Sequence, residues 1–206
     1  MATRRVTGLA GLATALIFAA GNAVWALDQP KGGASGREVV GFYADASDRI
    51  VVGGSLSLIA IALFVLFASG VRAILREHQG DDLLADTAFG GTLLMCAAGL
   101  AAESINMAAA LRAGDGKLSE ELARSLFEIS YVSGYNAAGI GIGILLLAAG
   151  AAALRREGLM PRWTAWIAIV LGLAFLTPLS LYLLAPAVLL LGVVSALLLR
   201  QAAASP

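Results

Sequence analysis

Residues 50–71 carry no charged side chain. Wound into a helix at 1.5 Å per residue, that stretch is long enough to cross the roughly 30 Å of hydrocarbon in a bilayer. The same pattern recurs over 6–26, 129–154 and 163–199, each free of Asp, Glu, Lys and Arg. Composition agrees: 59% of residues are hydrophobic and 14% charged, against about 45–50% and 25% in ordinary soluble domains. The fold class expected is therefore all-α, a polytopic membrane helix bundle. Its spans consume nearly all of the 206 residues, leaving a single transmembrane domain, 1–206.

Six transmembrane helices are expected, over about 6–27, 49–74, 87–112, 121–154, 162–178 and 180–199. Pro178 and Ser180 supply the break between the last two, and Pro186 kinks or starts the sixth. Without a reversal there the count is five and the C-terminus changes sides. Residues 1–26 also have the layout of a secretory signal, with a basic start, an apolar core and a small residue at Ala26; the expectation is a retained first span. Eight of the fourteen basic residues, Arg4, Arg5, Arg72, Arg76, Arg155, Arg156, Arg162 and Arg200, fall on the N-terminal side of this layout. The other six are mixed with acids. Both termini are expected to be cytoplasmic, in a bacterial cytoplasmic membrane.

The outer loop, 28–48, begins with Pro, Gly and Ser and ends in VVGFYADASDR, which reads as a short helix at the outer surface. Ser119 ahead of Glu120 and Glu121 reads as an N-cap with acids in the first helical turn.

The run NAAGIGIGILLLAAGAAALRREGLMPRWTAWIAIVLG resembles the helix 4, basic loop, Pro-Arg-Trp, helix 5 passage of a bacterial multi-pass membrane family, common in actinobacteria and named as a domain of unknown function. FYADASDRIVVGGSLSLIAIALFVLF is similar to the same group. The resemblance implies a six-helix layout and brings no chemistry with it. Physically, Trp163 and Trp166 stand where indole rings prefer the interface, beside the anchoring arginines.

Two polar residues stand out in the third span, AAESINMAAALR. Glu103 and Asn106 share a face with Thr92, Cys96, Gly99 and Ala110, at spacings of three and four, so that face should look into the bundle. Glu103 lies nine residues from Arg112, about 13 Å below the outer end. No Lys, Arg or His occurs at its depth in any span, and an unpaired carboxylate there would cost more than a protonated one. Glu103 is thus the candidate acid or base. Candidate binding residues are Asn106, Tyr131, Tyr135, Asn136, Asn22, Trp25 and Tyr182, all assigned to the outer half. Asn106 is expected to approach Tyr135 or Asn136. The bland alternatives are a hydrogen-bonding strut for Glu103, a packing contact for Asn22, and a salt bridge from Glu128 to Arg124 one turn back.

Other site classes find no support. Formal net charge is zero, so no nucleic-acid partner is expected. Cys96 is alone and reads as a packing residue. The only histidine, His78, lies in a loop with Glu77, Asp81, Asp82 and Asp86, a solvated charge run rather than a metal site. No cofactor is expected. Gly139, Gly141 and Gly143 follow no strand, so they read as helix-packing glycines and not as a nucleotide loop.

The expected function is that of a multi-pass integral membrane protein with a polar, aromatic pocket around Glu103 in its outer half, closed below. It would bind a small lipophilic ligand, or process one by acid-base isomerisation, cyclisation or hydrolysis. The alternatives are a proton-coupled transporter, or a structural, partner-stabilising protein. The expected partners are the lipid bilayer and that ligand; the sequence does not set the oligomeric state.

Overall fold

The computed structural model describes residues 2–25, 28–79, 82–155 and 160–204. Among them the chain forms α1 (Ala2–Trp25), α2 (Gly36–Asp45), α3 (Ser47–Gln79), α4 (Asp82–Gly114), α5 (Glu120–Tyr131), α6 (Ala138–Leu154), α7 (Arg162–Phe175) and α8 (Leu184–Ala204). A π-helical turn, Val132–Ala137, fuses α5 to α6, and a 3-10 turn, Pro178–Tyr182, joins α7 to α8. Five stretches are long and apolar enough to cross a bilayer: α1, α3, α4, the α5–α6 rod and α8. The outward faces carry Leu16, Val52, Ile59, Val170 and Leu189, all more than half exposed. A soluble monomer rarely shows so much contiguous apolar surface; in hydrocarbon it costs nothing. The chain is a membrane-embedded helix bundle.

The break expected at Pro178 is present, with one difference. Helix α7 has 14 residues, about 21 Å at 1.5 Å per residue, too short to cross alone. It stops at Phe175, three residues before Pro178. Thr177 caps the 3-10 turn, its hydroxyl accepting from the Leu179 amide at 3.3 Å. The chain then reverses, because α7 runs up along α6 while Ser195 and Leu199 of α8 lie against Gly11 and Gly8 of α1. Both described chain ends therefore meet at one end of the bundle. This end, with Arg72, Arg76, Arg155, Arg162 and Arg200, is called the inner end. There Asp86 accepts from Arg72 Nε and Arg76 Nη2, each at 2.8 Å, and ties α3 to α4. Asp81, Arg156 and Ala26 lie outside the described residues.

Six helices form a ring in the order α8, α1, α3, α4, α6, α7, and across the remaining gap α7 and α8 scarcely touch. Glycines set the close approaches. A Cβ on Gly141 would lie 2.5 Å from Met95 N and 2.6 Å from Gly91 O, and one on Gly53 would lie 2.7 Å from Gly21 O. The inner half of the ring packs Phe64, Phe67, Leu145, Ala152 and Leu198.

At the outer end a second apolar core forms around α2. Ser35 caps this helix, its hydroxyl accepting from the Glu38 amide at 3.3 Å. Helix α2 buries Val39 and Tyr43 completely, packing on α4 and α5, and so closes the outer end of the α4 face instead of lying on lipid. Full burial of a side chain like Val39 stabilises by about 1.5–3 kcal/mol. Beyond α4, Gly116 adopts φ +68°, and the Lys117 amide bonds back to Arg112 O at 2.8 Å. That left-handed glycine ends α4 and lets the chain turn into α5, whose cap is Ser119 accepting from the Leu122 amide.

Candidate functional site

Helix α4 turns Thr92, Cys96, Asn106 and Ala110 to the interior, where all four are buried. Around the Asn106 carbonyl the bundle builds a polar network. Its Oδ1 accepts from Tyr43 Oη of α2 and from Ser130 Oγ of α5, each at 2.8 Å. Burial pushes the Tyr43 hydroxyl up to about 12, against the smaller opposing effect of the neighbouring Ser130 hydroxyl, so it remains a donor over the ordinary pH range. The partners expected for Asn106, Tyr135 and Asn136, are not the ones its carbonyl takes. Tyr43 belongs to a stretch that reads from sequence as a surface helix, and no sequence signal singles out Ser130 beyond the face it shares with Phe127 and Ala123.

One helical turn inward, Glu103 has different surroundings. Its Oε2 is buried and has no hydrogen-bond partner among the described residues. It points at α3, where a Cβ on Gly54 would lie 3.4 Å from it. The Ser57 hydroxyl of α3 faces the same carboxyl, but the pair is not in hydrogen-bonding geometry, and Ser57 Oγ is likewise buried without a partner. A third such atom is Trp25 Nε1, on a buried indole packed against Gly53. The other intramembrane hydroxyls mostly satisfy themselves on their own helices. Thr7, Thr14, Ser55, Ser69 and Thr92 each donate to the carbonyl four residues back, at 2.7–3.1 Å. Glu103 Oε2 makes no such bond to its own helix. In the sequence Ser57 reads as one of the outer-half polar residues, with Ser55, but not as a partner of Glu103.

The remaining expected residues divide. Tyr135 Oη donates to Gln29 Oε1 at 3.4 Å, joining the loop after α1 to the π turn, and its ring lies 4.8 Å from that of Tyr131. Tyr131 in turn meets Phe127 at 6.1 Å. Asn22 Nδ2 donates to Phe18 O of its own helix at 3.0 Å, which is a local contact. Asn136 is exposed, and Tyr182, on the 3-10 turn, is 74% exposed; neither reaches the buried group around Glu103. The miss at Asn136 has a physical cause. Its expected inward direction rests on a regular α-helical wheel over 121–154, whereas the π turn at Val132–Ala137 replaces i→i+4 bonds by i→i+5 bonds and rotates the helix beyond it. The Arg124 to Glu128 pair forms as expected, at 2.9 Å.

Beneath Glu103, inside the ring, lies a lumen of about 200 Å³, far larger than a single water requires. Phe18, Ile61, Phe64, Met95, Leu145 and Leu191 contribute to its wall. Two hydroxyls also line it, Thr14 and Thr164, and both donate to backbone carbonyls, Ala10 O at 2.8 Å and Pro161 O at 2.7 Å. The wall is therefore apolar in effect. None of the eight residues expected to form the site belongs to it. The expected pocket, open outward and closed below, is corrected on this point: α2 closes the outer side with Tyr43, and the open volume lies in the inner half. No protein-family model, curated protein or solved structure matches this chain.

Proposed function

We propose that this membrane-embedded protein binds a small lipophilic molecule and holds its polar group at Glu103 and Ser57, where the carboxyl serves as acid or base. One observation carries the reading. A carboxyl oxygen of α4 and a hydroxyl of α3 face each other, both buried and unpartnered, whereas the other unpartnered atoms, such as Trp25 Nε1 and Ser195 Oγ, belong to no titratable group. Buried orphans of this kind cost about 1–3 kcal/mol each, and intramembrane acids mark functional sites. A ligand that donates to Glu103 and accepts from Ser57 removes that cost. The apolar lumen below supports a lipophilic ligand over a proton-coupled carrier, which needs a polar route to both sides. In a bacterial cytoplasmic membrane with both termini inside, the arginine-rich end faces the cytoplasm and Glu103 lies toward the outer leaflet.

A lipophilic carbodiimide, which modifies protonated carboxyls from within the bilayer, tests this reading on the full chain in nanodiscs. The expected outcome is modification of Glu103 in preference to the acids of the loops, detected by peptide mass spectrometry and absent in Glu103→Gln. An unmodified Glu103 would show that no lipophilic molecule reaches it.

A further inference from the structure

The lumen and the orphan pair are stacked in one ring. Ser57 precedes Ala60 and Ile61 on α3 by three and four residues, and those two line the upper wall of the lumen. Gly99, one turn below Glu103 on α4, packs on the same Ile61, its Cβ position 3.2 Å from Ile61 Cδ1. The polar pair thus stands about one helical turn, roughly 5 Å, above the apolar volume. Helices α7 and α8 bound that volume on the side where the ring is incomplete. They line it with Ala168 and Ala187 among others, yet scarcely touch each other.

Resting on the reading of Glu103 above, we propose that the ligand is a long-chain alcohol whose hydrocarbon tail occupies the lumen and whose hydroxyl meets Glu103 and Ser57, entering sideways between α7 and α8. Each part has a physical warrant. A wall with no free polar group takes hydrocarbon and excludes water. The gap opens to lipid, because α7 and α8 are outer helices of a membrane bundle whose backs carry Val170 and Leu189, 63% and 71% exposed. The head must be small, since glycines bring α3 within contact of both Gly21 and Glu103. It must also be uncharged or cationic, because no Lys or Arg stands beside the carboxyl among the described residues to neutralise a phosphate. A hydroxyl, one donor with two acceptor lone pairs, completes both orphans at once.

The probe is a saturated sixteen-carbon alcohol with a diazirine at mid-chain, photolysed with the full-length protein in nanodiscs, and read by peptide mass spectrometry. Labelling is expected on α7 and α8 around Ala168 and Ala187, and competed by unmodified alcohol but not by the phosphate monoester of the same chain. Ala187→Trp fills the lumen and should abolish labelling there. Leu191→Ala enlarges it and should retain labelling, which guards against a misfolded tryptophan variant. Glu103→Leu should weaken competition by the alcohol up to about tenfold, the worth of one hydrogen bond. Labelling that survives Ala187→Trp, or spreads evenly over lipid-facing residues, would overturn the lumen proposal. Labelling that Ala187→Trp removes but Glu103→Leu leaves at full affinity would instead overturn the role of Glu103. Competition by the amine of the same chain exceeding the alcohol would overturn the choice of head group.

Discussion

Asn106 and Glu103 stand one turn apart on the same face of α4, and the protein treats them in opposite ways. Asn106 receives two hydroxyl donors from two other helices, both at 2.8 Å. Glu103 receives none at its buried oxygen among the described residues, although Ser57 stands in front of it. The difference is not one of depth alone, since both lie on the interior face. It lies in what is brought to them: α2 folds back over the outer end and delivers Tyr43, whereas α3 presents Gly54 and Ser57 to Glu103 and neither bonds its buried oxygen. An acceptor that is partnered from two other helices specifies a packing arrangement. The one left without a partner in hydrocarbon is where the ligand's polar group is proposed to bind.

The comparison is broken most severely at Asn106. Asn106→Leu should remove the shared acceptor and leave Tyr43 and Ser130 as buried donors, destabilising the protein by about 2–4 kcal/mol, measured by unfolding in a mild detergent. If the loss is below about 0.5 kcal/mol, within the range of a substitution that touches no important contact, the network does not hold α2 in place.

A smaller effect is expected from Tyr43→Phe, which removes one donor and leaves Ser130 on the acceptor. The expected loss is about 0.5–1.5 kcal/mol, and a double-mutant cycle with Ser130→Ala should show the two donors coupled through Asn106. The same tyrosine sets a pH dependence. Its folded value is raised from the ordinary 10.0 to about 12, so the folded state holds this proton more tightly than the unfolded chain does. Its contribution is complete below pH 10 and is lost as the pH rises toward about 12. The thermal midpoint should therefore decline over that window, and decline less in Tyr43→Phe than in the wild type. An identical alkaline decline in both would place the effect elsewhere.

Much of this architecture is legible in the sequence, and the parts that are not have particular causes. The uncharged runs place α1, α3, the α5–α6 rod and the α7–α8 stretch, because span length and apolarity are properties of the residues alone. Ser119 and the spacing of Arg124 and Glu128 are local signals, and both appear as expected. Partners are harder. The donors to Asn106 come from positions 63 and 24 residues away, and no periodicity along one helix reveals them. The π turn alters the direction of Asn136 without any sequence mark that a regular helical wheel registers. Sequence overestimates the length of α7 because apolar composition continues through Leu176 to Tyr182, while the helix itself ends at Phe175.

The smallest structural effect, and the one that sharpens the comparison, is expected at Glu103. Glu103→Gln keeps the shape and should change stability by less than about 0.5 kcal/mol, as for a substitution that breaks no interaction. The thermal midpoints of the two proteins in the same detergent check this.

The central claim, that the fold does not use the Glu103 carboxyl, is tested most directly by the unfolding free energy of Glu103→Leu relative to the wild type in ligand-free detergent. An apolar side chain of similar length at this position orphans no donor that the carboxyl was satisfying. The predicted result is a stability equal to the wild type or higher by up to about 2 kcal/mol, the relief of one buried unsatisfied group. A loss of about 2 kcal/mol or more, comparable to that of Asn106→Leu, would make Glu103 a strut of the bundle and contradict the account.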